Sequence, residues 1–178
     1  SAASDVYKRQ IRRYEYEWAD KYLIATFPSR HYDIELYPAV KRHLLSFGKE
    51  RLEQTGKTYS INGEKIKARK KTHNKWFETQ DSISYWEDFM RPKIIWKRIG
   101  SILRFSYDTT GNLGLDSTCF ATGQHMAYLC CILNSLMGHY MFKDSPKTGT
   151  GDLLVSVQAI EPILIPMNKD MECLFENL

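Results

Sequence analysis

Residues 124–142 read QHMAYLCCILNSLMGHYMF, and this stretch decides the fold class. Met126, Leu129, Cys130, Leu133, Leu136, Met137 and Tyr140 recur mostly at steps of three and four, the spacing that lines one face of a helix. Few charges interrupt the run, so the sequence predicts a central, mostly buried helix near 124–142. Upstream, KIIWKRI (93–99) and ILRFSY (102–107) are rich in β-branched and aromatic residues, with Gly100-Ser101 between them at hairpin distance. A third strand is predicted over 113–122, after the Gly111-Asn112 turn. Downstream, SPKTGTGD (145–152) is a loop by composition. Short apolar stretches near 153–165 are punctuated by Pro162 and Pro166 and supply further strand. The expected fold is therefore α+β, a small mixed sheet packed on the central helix.

Further out, Tyr37, Val40, Leu44, Phe47 and Leu52 fall mostly at helical spacing, with Pro38 suited to a first turn and Gly56 just past the end. An amphipathic helix near 37–52 is expected to complete the packing, its other face carrying Lys41, Arg42, Lys49 and Arg51. Asn62-Gly63 marks a turn, with strand on either side from Tyr59 to Ile66. Asp81-Ser82 caps a short helix ending before Pro92. The first ten residues, SAASDVYKRQ, show neither period and resemble an adapter-like leader, so the reading is a non-native leader over 1–10 and one domain over 11–178.

Composition narrows the class. The chain has 178 residues, 43% hydrophobic and 26% charged, enough apolar content for a packed core rather than a disordered chain. No apolar run reaches the roughly 18–20 residues that span a bilayer, and no basic-then-apolar leader opens the chain, so a membrane partner is not expected. Cys119, Cys130, Cys131 and Cys173 make no dense framework, which fits a reducing cytoplasm. The net charge of +4 is unevenly laid out: residues 41–75 hold eleven bases and three acids, whereas 152–178 hold one base and five acids. A basic block of this kind implies an anionic partner at one place on the surface.

Several chemistries lack their residues. An adenine methyltransferase needs an (Asn/Asp/Ser)-Pro-Pro-aromatic tetrad, yet none of the six prolines adjoins another. A P-loop needs Gly-Lys-Ser/Thr, but Pro146 precedes Lys147-Thr148, and Gly149-Thr150-Gly151 lacks the third glycine of a dinucleotide site. The five histidines show no zinc spacing, so no metal or catalytic residue is assigned. Asp108 and Asp116 flank strands as turn formers; a small metal-dependent nuclease built on them is the minor alternative.

What remains is KARKKTHNKW (67–76). Lys67, Arg69, Lys70, Lys71 and Lys75 suit phosphates, the Asn74 amide can read an adenine edge, and Trp76 can stack or plug the core. Lys97 and Arg98 form a second group with Lys93. Strand alternation puts Lys93, Ile95 and Lys97 on one face and Ile94, Trp96 and Arg98 on the other, so Lys97 and Arg98 share a face only if the strand end twists. Lys147 and Thr148 complete the candidate DNA-binding set.

An ordered series of motifs runs through these elements. It comprises WFE (76–78), Tyr85-Trp86, RPKIIWKRI (91–99), FSYD (105–108), LDSTCFATG (115–123), YLCCILNSLMGHY (128–140) and IEPILIP (160–166). Over about residues 30–167 the series resembles the TaqI-like C-terminal specificity domain of type IIG restriction–modification enzymes. Type I specificity subunits share its last two features. The resemblance implies a target-recognition domain for double-stranded DNA in a bacterial cytoplasm. It would lie downstream, on the same parent chain, of an adenine-N6 methyltransferase domain that binds S-adenosylmethionine and flips the target base. Mg2+ would enter only where a nuclease is attached. The chain itself then takes no cofactor and is no enzyme alone, being part of a larger one. The competing reading is a protein–protein scaffold for a separate methyltransferase subunit, docking through the apolar helix or the acidic tail.

Overall fold

A computed structural model of the chain describes residues 11–176 apart from Ala19, Leu115 and Asp116. The chain divides into two compact units, one of Tyr22–Ser84 and the other of Ser1–Lys21 with Tyr85–Leu178.

The Tyr22–Ser84 unit starts with single 3-10 turns at Pro28–Arg30 and Ile34–Leu36 and continues into helix α1 (Pro38–Leu45). Pro38 opens α1 as the sequence predicts, but the helix does not run through to 52. Gly48, at φ +88°, turns the chain out of helical geometry, and α2 (Lys49–Leu52) begins anew. The predicted apolar stripe is correspondingly weak: α1 and α2 contain no buried residue, and Phe47 is exposed. Strands β1 (Thr58–Ile61) and β2 (Glu64–Lys67) pair antiparallel, with Tyr59 opposite Ile66 and Thr58 opposite Lys67. Asn62 and Gly63 both take positive φ between them, the two-residue turn whose twist matches that of the flanking strands. The buried apolar residues of this unit are Phe27, Ile34, Ala68 and Phe77.

The other unit is built on a three-stranded sheet of order β5-β3-β6, with β3 (Lys93–Lys97) in the centre between β5 (Phe105–Asp108) and β6 (Thr118–Thr122). Both pairings are antiparallel. Two-residue strands β4 (Ile99–Gly100) and β7 (Leu153–Leu154) make a second antiparallel ribbon. The α+β class holds, and the strands are shorter than the sequence predicts. Among the described residues the expected mixed character survives as one isolated parallel bridge, between Tyr14 and Ser106. Past β7 the chain forms α5 (Val157–Ile160), and Ile163 and Ile165 pack on the core outside any assigned strand. The short helix expected before Pro92 is a 3-10 segment, Trp86–Met90.

The long helix is two helices. In α3 (Met126–Asn134), Met126, Tyr128, Cys130 and Leu133 are buried; in α4 (Leu136–Met141), Leu136, Met137 and Tyr140 are exposed. The break is Ser135, whose backbone is extended. Its hydroxyl donates to Ile132 O at 2.6 Å and accepts the Gly138 N–H at 3.2 Å, capping the end of one helix and the start of the next. Asn134 is equally specific. Its carboxamide accepts the Phe105 N–H at 3.0 Å and donates to Phe105 O at 2.7 Å, so a helix side chain takes the place of a neighbouring strand along β5.

Ile94, Trp96, Leu103, Phe105, Cys130, Leu133, Phe142 and Val155 form the core. Burying a side chain the size of Phe105 or Phe142 contributes about 1.5–3 kcal/mol. The indole N–H of Trp96 is satisfied by Val155 O at 2.8 Å, and burial pushes the Cys130 thiol up to about 12. At the end of the chain α6 (Lys169–Glu176) lies on α3, where Glu172 pairs with His125 and Phe175 meets Tyr128. Among the described residues no helix is long and apolar enough to cross a membrane.

Candidate nucleic-acid interface

The ten candidate residues divide between the units. Lys67, Arg69, Lys70, Lys71, Asn74 and Lys75 belong to the hairpin unit, whereas Lys97, Arg98, Lys147 and Thr148 belong to the sheet unit.

In the hairpin unit the alternation of β2 places Lys65 and Lys67 on the exposed face, with Ile66 turned the other way. The ladder extends past β2, since Ala68 N–H donates to Lys57 O and Gly56 N–H to Arg69 O, each at 2.9 Å. From there the chain turns through Lys70 and Lys71, both exposed, to Lys75, whose ammonium lies 5.6 Å from the Phe77 ring centre. Among the described residues the ammonium groups of Lys67, Lys70 and Lys71 have no ion-pair partner. Trp76 is half-buried, edge-on to Phe77.

Arg69 and Asn74 stand apart from these lysines. The Arg69 guanidinium donates to Leu52 O at 2.8 Å, Glu78 O at 2.9 Å and Trp76 O at 2.5 Å. Burial draws its pKa below the ordinary arginine value. The Asn74 amide nitrogen donates to Thr79 O at 3.0 Å and Gln80 O at 2.9 Å. Sequence reasoning passed over Gln54, which is buried and donates to Lys75 O and Glu78 O while accepting from the Thr72 hydroxyl. The signal for it is faint, an uncharged polar residue at the exit of a helix.

In the sheet unit Arg98 is exposed and Lys97 half-buried. Lys147 is exposed and bridges to Leu153, while Thr148 organises its own loop by accepting the Asp152 N–H at 3.2 Å. Lys93, grouped with Lys97 and Arg98 by sequence, is fully buried. Its ammonium lies 2.5 Å from Asp108 Oδ2 and donates to Phe89 O at 2.7 Å. Asp108 also accepts from the Thr110 N–H and hydroxyl, the Asn112 N–H and the Tyr16 hydroxyl. Burial alone would raise this carboxyl; the Lys93 ammonium and the Thr110 donors overcome it and hold the pKa below the usual carboxylate value. Asp108 is thus a structural anion with its oxygens taken. Asp116, the other carboxylate of the nuclease alternative, lies outside the described residues. Among the described residues no cluster of three or more His, Cys, Asp or Glu side chains is placed to hold a metal ion.

A small α+β chain that turns apolar and hydrogen-bonding groups inward and unpaired lysines outward suits the class of DNA-recognition domains. A family model described as the TaqI-like C-terminal specificity domain matches residues 7–160, and the chain belongs to that family. The role that follows is DNA recognition within restriction–modification enzymes. The match begins inside the stretch read as a leader, and the described chain engages the sheet from its first turn: Tyr14 N–H donates to Phe105 O at 2.8 Å and Tyr107 N–H to Tyr14 O at 3.0 Å. No curated protein matches the chain.

Proposed function

We propose that this chain is the target-recognition domain of a bacterial, cytoplasmic type IIG enzyme whose remaining part is an S-adenosylmethionine-dependent adenine-N6 methyltransferase on the same parent polypeptide. Recognition is of double-stranded DNA. Lys67, Lys70, Lys71 and Lys75 set register against phosphates, and Lys97, Arg98, Lys147 and Thr148 supply further backbone contacts from the sheet unit. S-adenosylmethionine, and Mg2+ if a nuclease is attached, belong to the parent and not to this chain.

One observation carries the DNA-contact part of this reading: a run of lysines stands exposed on a hairpin and loop in which Arg69, Gln54 and Asn74 are turned onto the protein's own backbone. Each phosphate neutralised steepens the fall of log K with log salt by about 0.9. In a salt titration of duplex binding, Lys70→Ala with Lys71→Ala lowers the slope by about two. An unchanged slope removes the loop from the interface. The methyltransferase part is tested separately, since the reading frame upstream must then encode the missing proline tetrad.

The exposed Leu136, Met137 and Tyr140 of α4 favour a second, compatible reading in which this chain also docks on a protein partner. Association that persists at high salt and weakens with Leu136→Ser would mark it.

A further inference from the structure

Resting on that reading of the lysine loop, we infer that Arg69, Gln54 and Asn74 are positioning residues of the DNA interface, which hold the loop from 68 to 80 in its binding shape before DNA arrives. All three have side chains chemically able to touch nucleic acid, and all three are turned onto the protein's own backbone. Arg69 reaches carbonyls at 52, 76 and 78, which brings both ends of the loop to the exit of α2. Gln54 repeats the tie from below, joining residue 75 to 78 and taking the Thr72 hydroxyl at 2.7 Å. Asn74 closes the far side on carbonyls 79 and 80. Between them, the Glu78 carboxylate accepts the Lys75 N–H at 2.7 Å, and Glu78 N–H returns to Lys75 O at 3.0 Å.

Such a loop has few conformations left to lose. A lysine loop that was free in solution would have to be ordered when it met DNA, and that entropy would be subtracted from the affinity. The slope of log K against log salt counts the phosphates neutralised in the complex. The height of the line also contains the cost of ordering. A positioning residue therefore moves the line without tilting it, whereas a phosphate contact tilts it.

The decisive variant is Arg69→Lys, which keeps the charge and loses the planar fork that spans three carbonyls. Binding is measured by fluorescence anisotropy with a labelled mixed-sequence duplex of a few helical turns, using the whole chain across a salt series. The slope stays at the wild-type value and the dissociation constant rises roughly tenfold at every salt concentration. Asn74→Ala, a milder change that keeps the fold if Arg69→Lys does not, gives a smaller parallel shift of about threefold. It leaves the preference between A·T-rich and G·C-rich duplexes unchanged. Binding lines that superimpose on wild type while the melting temperature falls make these residues structural only and overturn the inference. A change of base preference with Asn74→Ala overturns it as well, by making Asn74 a reader. If Lys70→Ala with Lys71→Ala leaves the slope unchanged, the reading of the loop fails first and the inference falls with it. If that pair lowers the slope and the clamp variants shift nothing, the inference fails alone.

Discussion

Lys93 and Lys70 are the same residue type under opposite rules. In the sheet unit, Lys93 stands on the central strand with no solvent exposure, against an aspartate on the neighbouring strand and a backbone carbonyl. In the hairpin unit, Lys70 and its neighbours are exposed, and arginine, glutamine and asparagine are the side chains drawn inside. A lysine ammonium is tolerated in a core only when an anion and further acceptors replace its water. On a surface it needs nothing and remains available to phosphate. The contrast teaches that charge counted along a sequence does not say where the charge is usable; the partners within hydrogen-bond reach decide.

The contrast can be broken most forcefully at Lys93. Lys93→Met strands the Asp108 carboxylate in the core and lowers the unfolding free energy by about 3–5 kcal/mol in urea titration. Adding Asp108→Leu to that variant recovers only part of the loss, because the stranded charge goes but the Thr110, Asn112 and Tyr16 donors lose their acceptor. A double variant as unstable as the single would show that those donors, rather than the stranded charge, set the cost.

A smaller effect sharpens the same comparison through pH. The Asp108 carboxyl is held below its usual value in the fold, so its contribution is fully present above the unfolded carboxylate range, near pH 4. It is lost as pH falls through the lower, folded value. Acid unfolding of Asp108→Asn, followed by circular dichroism, should be shallower below about pH 4 than that of the parent. No lysine of the loop should alter that limb when changed to alanine.

The smallest effect lies in the hairpin turn. Gly63 sits at φ +83° with open space where a Cβ would go, so Gly63→Ala meets only the backbone penalty, about 1 kcal/mol. Its check is a modest drop in the urea midpoint with the salt slope of DNA binding retained.

Much of this was legible in the residues. The buried part of the long helix, the three strands of the sheet and the Asn62-Gly63 turn each follow from period or turn chemistry. The break at Ser135 did not, because the apolar spacing continues across it and only the paired hydrogen bonds of its hydroxyl reveal two helices. The burial of Lys93 has a signal in the sequence. Pairing 93–97 antiparallel with 105–108 sets Lys93 opposite Asp108, and opposite charges facing across strands are a recognisable pair. Residue type alone assigns Arg69 and Asn74 to DNA, whereas in the structure both side chains donate to the protein itself. Their partners are backbone carbonyls, which every residue carries, so nothing in residue type distinguishes an inward arginine from an outward one.

The clamp described above has a consequence for variation. Arg69 and Asn74 end on main-chain oxygens, which every residue supplies whatever its side chain, so the identities at 65, 67, 70, 71 and 75 are not written into the scaffold. The charge which that face presents is then open to revision by single substitutions that leave the architecture untouched.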